Sequence, residues 1–119
     1  SLGAKVSVAA KSIRDLARIT EMGLTAIPLD KLADFSSDCD VIINTIPALV
    51  IDQKVIQHLP SHAKIIDLAS SPGGTDFAYA KQRGIEAFLA GSLPGIVAPK
   101  TAGKILADVI KQILLEERG

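Results

Sequence analysis

The sequence predicts an α/β protein, a three-layer, doubly wound parallel sheet with helices on both faces. Three observations lead there. The apolar runs Val41-Ile42-Ile43 and Ile65-Ile66 carry no polar alternation, the pattern of strands covered on both sides. Capped segments of helical spacing fall between them, and strands alternating with helices mean parallel βαβ units. Hydrophobic residues make up 48% of the chain but aromatics only 3%, so the core is aliphatic, which suits buried strands.

Taken in order, residues 5–10 alternate weakly and read as a strand. Ser12 caps a helix from 13 to about 22, with Asp15 placed to complete a capping box. Ile13, Leu16, Ala17 and Thr20 share one helical face, and Gly23 ends the helix. Residues 24–28 form a short strand, and Asp30 is placed to cap a turn or two of helix through Phe35. The clearest buried strand is 41–45, closed by Ile46-Pro47. Asp52 caps a short helix to about 59, which Pro60 ends. A strand at 64–69 breaks into Ser70-Ser71-Pro72-Gly73-Gly74, where glycines can take positive φ and admit a ligand to the backbone. Thr75 or Asp76 caps the next helix, 75–83, stopped by Gly84. A strand at 85–89, a loop at 90–99 and a long helix over about 100–117 complete the chain.

At 119 residues the chain is one domain, residues 1–119. Thirteen basic residues balance thirteen acidic ones and are scattered, which argues against a nucleic-acid surface. No apolar run approaches the ~20 residues that span a bilayer. Cys39 is the single cysteine, read as a small buried hydrophobe in a reducing compartment. His58 and His62 have no acidic or cysteine neighbours in sequence, and no metal site is expected. The opening Ser1-Leu2-Gly3-Ala4 has neither an initiator Met nor a signal pattern, as if cut from a larger protein. No Gly-x-Gly-x-x-Gly turn occurs. A doubly wound nucleotide fold starts with one, so the pattern begins at that fold's second strand, and the sheet is expected to be truncated at its N-terminus. In the order 3-2-1-4-5-6 the strands at 5–10 and 41–45 would then flank an empty place. They must pair directly or recruit another chain; self-association and weak cofactor binding are the expectation.

In open α/β sheets ligands bind at the carboxyl ends of strands, and four such ends carry candidates. After the first strand, Lys11, Ser12 and Arg14 stand where NAD proteins place a carboxylate; they would surround a 2′-phosphate, or form an ordinary capped, solvated helix start. Asn44, Thr45 and Pro47 end the 41–45 strand, where a wall for the cofactor's ribose and nicotinamide belongs. Asp67 either accepts N–H groups from its own turn, with Ser70, Gly73 and Gly74, or works as a general acid or base. Lys100 and Thr101 open the last helix, as an anion site for a substrate carboxylate or as a plain cap. Asp67 and Lys100 are the candidates for catalysis.

Asn44-Thr45-Ile46-Pro47, Asp67-Leu68-Ala69-Ser70 with Pro72-Gly73-Gly74-Thr75-Asp76-Phe77, and Leu93-Pro94-Gly95 through Thr101-Ala102-Gly103 closely resemble the A-subunit family of bacterial dipicolinate synthases. The resemblance runs the length of the chain. It implies the C-terminal, nucleotide-binding Rossmann half of an oxidoreductase that makes dipicolinate, the spore pyridine-2,6-dicarboxylate, from a lysine-pathway dihydro- or tetrahydropyridine dicarboxylate. It also implies NADP as cofactor with NAD as the alternative, partnership with a B subunit, and the cytoplasm of a sporulating mother cell. A homo-oligomer is expected, and a chain without the glycine turn is expected to be inactive alone. The rival readings are a non-catalytic Rossmann module serving the assembly of subunits, and another NAD(P) enzyme of the hydroxyacid-dehydrogenase type.

Overall fold

The computed structural model of the chain describes residues 5–21 and 23–89. The loop expected at 90–99 and the helix expected at 100–117, with Lys100 and Thr101, lie outside the described residues, as does the side chain of Asp15. Five strands form one parallel sheet: β1 (Val6–Ala10), β2 (Thr25–Pro28), β3 (Val41–Asn44), β4 (Lys64–Asp67) and β5 (Glu86–Leu89). Their order is β2-β1-β3-β4-β5. Helices α1 (Ile13–Glu21), α2 (Leu32–Phe35), α3 (Gln53–Ile56) and α4 (Phe77–Gln82) occupy the connections, and 3-10 turns flank α2. This is a Rossmann-like α/β sheet, in the doubly wound order with the place of its central strand passed over.

β1 and β3 pair directly, from Val6 opposite Val41 to Ala9 opposite Asn44. The bare inner edges that motivated the expected self-association are therefore closed. The alternation of side chains then builds two cores. Val6, Val8, Ala10, Val41, Ile43 and Ile66 face one side with Ile19 and Leu16 of α1. Ala9, Ile42 and Ile65 face the other, under Leu32 of α2, Val55 and Ile56 of α3, and Ala80 of α4. Ile42, Ile43, Ile56 and Ile65 are wholly buried, and truncating any of them to alanine costs about 2–5 kcal/mol.

Several local expectations change. Ile13 is 86% exposed and Ala17 and Thr20 are exposed; of the expected face only Leu16 packs on the sheet, partly buried, beside the buried Ile19. The first turn of α1 lies past the end of β1 and has no sheet to cover. Asp30 sits inside the 3-10 turn Leu29–Lys31, and neither that turn nor α2 has a side-chain cap. Asp52 does cap α3, accepting from Val55 N at 3.1 Å, but the helix ends at Ile56. Asp76, not Thr75, caps α4, accepting from Tyr79 N at 3.0 Å. Among the described residues no helix is long and apolar enough to cross a membrane.

The amino-terminal edge of the sheet is fastened by Asp40. Its carboxylate accepts from Lys5 N at 2.6 Å and meets His62 Nε2 at 2.7 Å, while Lys5 Nζ pairs with Asp38. His62, exposed as expected, thus does have an acidic partner, supplied from 22 residues away. Beside this clasp Cys39 is fully buried, donates weakly to Phe35 O at 3.4 Å, and has its thiol pKa pushed up by burial.

The Lys5 amide, then His62, hold the Asp40 carboxyl below its ordinary value of 3.8. A carboxyl lowered in the folded state stabilises the fold above the unfolded value and loses that effect as pH falls through the folded one. Asp40→Asn is therefore expected to cost about 1 kcal/mol at neutral pH. In denaturant titrations at a series of pH values, the gap from the parent should narrow below pH 3.8. A gap independent of pH would contradict this.

Candidate functional site

Doubly wound sheets open a crevice where successive connections leave to opposite faces. Here α1, leaving β1, packs on one face, whereas α3, leaving β3, packs on the other. The switch therefore falls between the carboxyl ends of β1 and β3, and the described candidate residues lie at these ends or at that of the neighbouring β4. Lys11, Ser12 and Arg14 are exposed at the end of β1 and the start of α1, Thr45 and Pro47 are exposed just past β3, and Ser70 is exposed past β4.

Asn44 and Asp67 behave differently. Both are 0% exposed, and they are register partners at the ends of adjacent strands. Asp67 Oδ1 accepts from Asn44 Nδ2 at 3.1 Å and from Ala69 N at 3.0 Å. Asp67 Oδ2 accepts from Gly74 N at 2.6 Å and Thr75 Oγ1 at 2.8 Å. The rest of the Asn44 amide is also used, Nδ2 donating to Ile46 O at 2.9 Å and Oδ1 accepting from Ile46 N at 3.0 Å. Neither side chain has a polar atom left for a ligand, so each acts on the site through the backbone it holds. Of the two readings of Asp67, this geometry is that of the carboxylate binding its own turn.

That turn is closed like a ring. Ala69 and Gly74, its two ends, bind the same carboxylate, and Gly73 N donates to Ser70 O at 2.7 Å; the Ser71-Pro72 peptide is cis. The loop after β3 is laid against it, since Val50 N and Ile51 N donate to Gly74 O at 3.0 and 2.9 Å, and Ile51 bridges Thr75. Thr75 as a donor and the docking of residues 45–52 were not read from the sequence. Only the dense small-residue turn signalled that something was tightly packed here. Beyond the turn, Ser71, Pro72, Phe77, Ala87, Phe88 and Leu89 line a cavity of about 450 Å³. Among the described residues no group of three or more His, Cys, Asp or Glu is placed to hold a metal ion.

The two glycines have different reasons to be glycine. Gly73 has φ +81°, and a Cβ there would lie 2.8 Å from Asp67 Oδ2. Gly74 has no such φ, but a Cβ would lie 2.5 Å from both Asn44 Nδ2 and Ile46 O and closer still to Ala48 O. Gly84 has positive φ and open space. Thermal melts should therefore separate the three. Gly84→Ala is expected to cost about 1 kcal/mol for backbone conformation alone. Gly73→Ala and Gly74→Ala should cost about 1–3 kcal/mol more through overpacking, and equal melting for all three would contradict the packing.

No known family profile matches the chain. The A subunit of dipicolinate synthase from Bacillus subtilis (strain 168) is 53% identical over 116 residues, which are 98% of this chain and 39% of that protein. The crystal structure of the A subunit of dipicolinate synthase from Bacillus halodurans superposes with a TM-score of 0.67 at 58% identity, covering 95% of this chain and 39% of that one. The crystal structure of the Bacillus subtilis protein gives 0.66 at 54%, covering 97% and 39%. The chain thus spans about two fifths of the length of the relatives it matches. Along nearly its whole length, this chain is homologous to part of the A subunit of dipicolinate synthase.

Proposed function

We propose that the chain forms the nucleotide-binding part of an NADP-dependent oxidoreductase that makes dipicolinate. The observation that carries the reading is the exposed trio Lys11, Ser12 and Arg14 at the carboxyl end of β1, at the sheet's switch point, in a chain 53% identical to the A subunit of a dipicolinate synthase. The fit to a dinucleotide rests on the groups present. Two cations at the start of α1 suit a 2′-phosphate, and the exposed Thr45 and Ser70 offer hydroxyls at the neighbouring strand ends. No glycine-rich diphosphate cradle lies among the described residues. The cofactor would supply the hydride chemistry. Lys11 and Arg14 would hold its phosphate, Thr45, Pro47 and Ser70 would orient its other end, and Asp67 with Asn44 would keep those strand ends in place.

The substrate in this reading is a cyclic dihydro- or tetrahydropyridine dicarboxylate of the lysine pathway, oxidised towards the aromatic ring. One of its carboxylates would meet Lys100 and Thr101. A B subunit would be the partner, a homo-oligomer the assembly, and the mother-cell cytoplasm the compartment. The names of the relatives support the partner, since each is called the A component of its synthase.

Cofactor choice is the direct test. In the full-length protein, Lys11→Ala with Arg14→Ala is expected to weaken NADP binding about tenfold or more and to change NAD binding little, because only NADP carries the extra phosphate. Isothermal titration calorimetry with both cofactors reads this. Equal losses for the two would remove these residues from the site.

A further inference from the structure

The carboxylate of Asp67 is buried, and none of its hydrogen-bond donors among the described residues is a cation. Three of its four partners, Asn44 Nδ2, Ala69 N and Gly74 N, are N–H groups that can only donate, so both oxygens serve as acceptors, as an ionised carboxylate does. The ion pairs among the described residues are Lys5 with Asp38 and His62 with Asp40, and neither reaches Asp67. Among the described residues only dipoles meet it, and a charge inside protein acts over a longer range than one at the surface. Its position is also particular. Asp67 ends β4 beside Asn44, which ends β3, and the exposed Thr45 and Ser70 follow these strand ends in sequence.

We infer that Asp67 sets the redox-state preference of this site by favouring a nicotinamide ring in its oxidised, cationic form over its reduced, neutral form. The inference rests on the reading of the site as one for a nicotinamide dinucleotide. The two cofactor forms share every phosphate, sugar and base, so differences in how well the pocket is formed cancel in the ratio of their affinities. What remains is the charge of the ring, and the fixed negative charge nearest the strand ends acts on that alone. Lys11, Arg14 and Lys100 are the same in the parent and in Asp67→Asn, so the change in the ratio between the two reads Asp67 alone. Asp67 is thus a positioning residue through its hydrogen bonds and a specificity determinant through its charge.

The test is the ratio of dissociation constants for NADPH and NADP⁺, measured by calorimetry on the full-length protein at fixed ionic strength. The unaltered chain should bind NADP⁺ about tenfold more tightly, the scale of one unit charge acting through protein. Asp67→Asn should bring the ratio close to one, whatever it does to either affinity. Should that variant fail to fold because two donors lose their acceptor, Ser70→Lys adds a cation at an exposed position and should lower the ratio in a folded protein. An unaltered chain without preference, or a ratio unmoved by Asp67→Asn or Ser70→Lys, overturns the inference and leaves the proposed cofactor standing. Failure of both forms to bind removes the proposed cofactor, and the inference with it.

Discussion

One carboxylate organises the working end of this sheet. Asp67 draws Ala69 and Gly74 together across the turn, takes the hydroxyl of Thr75, and binds Asn44 on the next strand. Asn44 in turn holds Ile46 at both its amide and its carbonyl. Two loops that would otherwise be independent surface connections become one rigid unit. Burying a carboxylate is costly without such donors, so the arrangement is stable only complete: removing any one donor leaves an acceptor short in a place water does not reach. The glycines follow from this, because the backbone of residues 73 and 74 must come within contact of the carboxylate and the Asn44 amide.

The parallel sheet was legible because its signal is local. Ile42-Ile43 and Ile65-Ile66 are buried on both faces whatever the strand order, so the run of apolar residues alone identifies them. The carboxyl ends were legible for the same reason, since a strand followed by Ser-Ser-Pro-Gly-Gly has nowhere to continue. What could not be read depended on register and on neighbours far away in sequence. Nothing near Asp67 announces that Asn44 will lie opposite it, nor that His62 will reach Asp40. Ile13 misled because helical spacing marks which residues share a face, not how far the strand beneath that face extends. Asp30 misled because a capping residue type is a preference, and the chain there turns through a 3-10 segment from Pro28 instead.

The seam between β1 and β3 shapes both the fold and the site. Direct pairing lets each inner edge satisfy the other's backbone groups, which a gap in that place would have left bare. It also brings the end of β1, with its cations, next to the end of β3, with its hydroxyl and its proline. The strand ends themselves are buried, but the residues just past them, Lys11, Ser12, Thr45, Pro47 and Ser70, are exposed. A concentrated set of polar groups is thus displayed on a sheet whose interior is almost entirely aliphatic.

Cys39 stands where the sheet begins and α2 ends, with no exposed surface and a thiol kept in its protonated form by burial. Only the thiolate reacts with alkylating reagents and disulfides. The folded chain is therefore chemically silent towards them, and modification must wait for the start of β3 to part from its cover. The rate of labelling at this one sulfur then becomes a clock for local opening at the amino-terminal edge. Since the chain has a single cysteine, the signal comes from that edge alone, with no other site to confuse it.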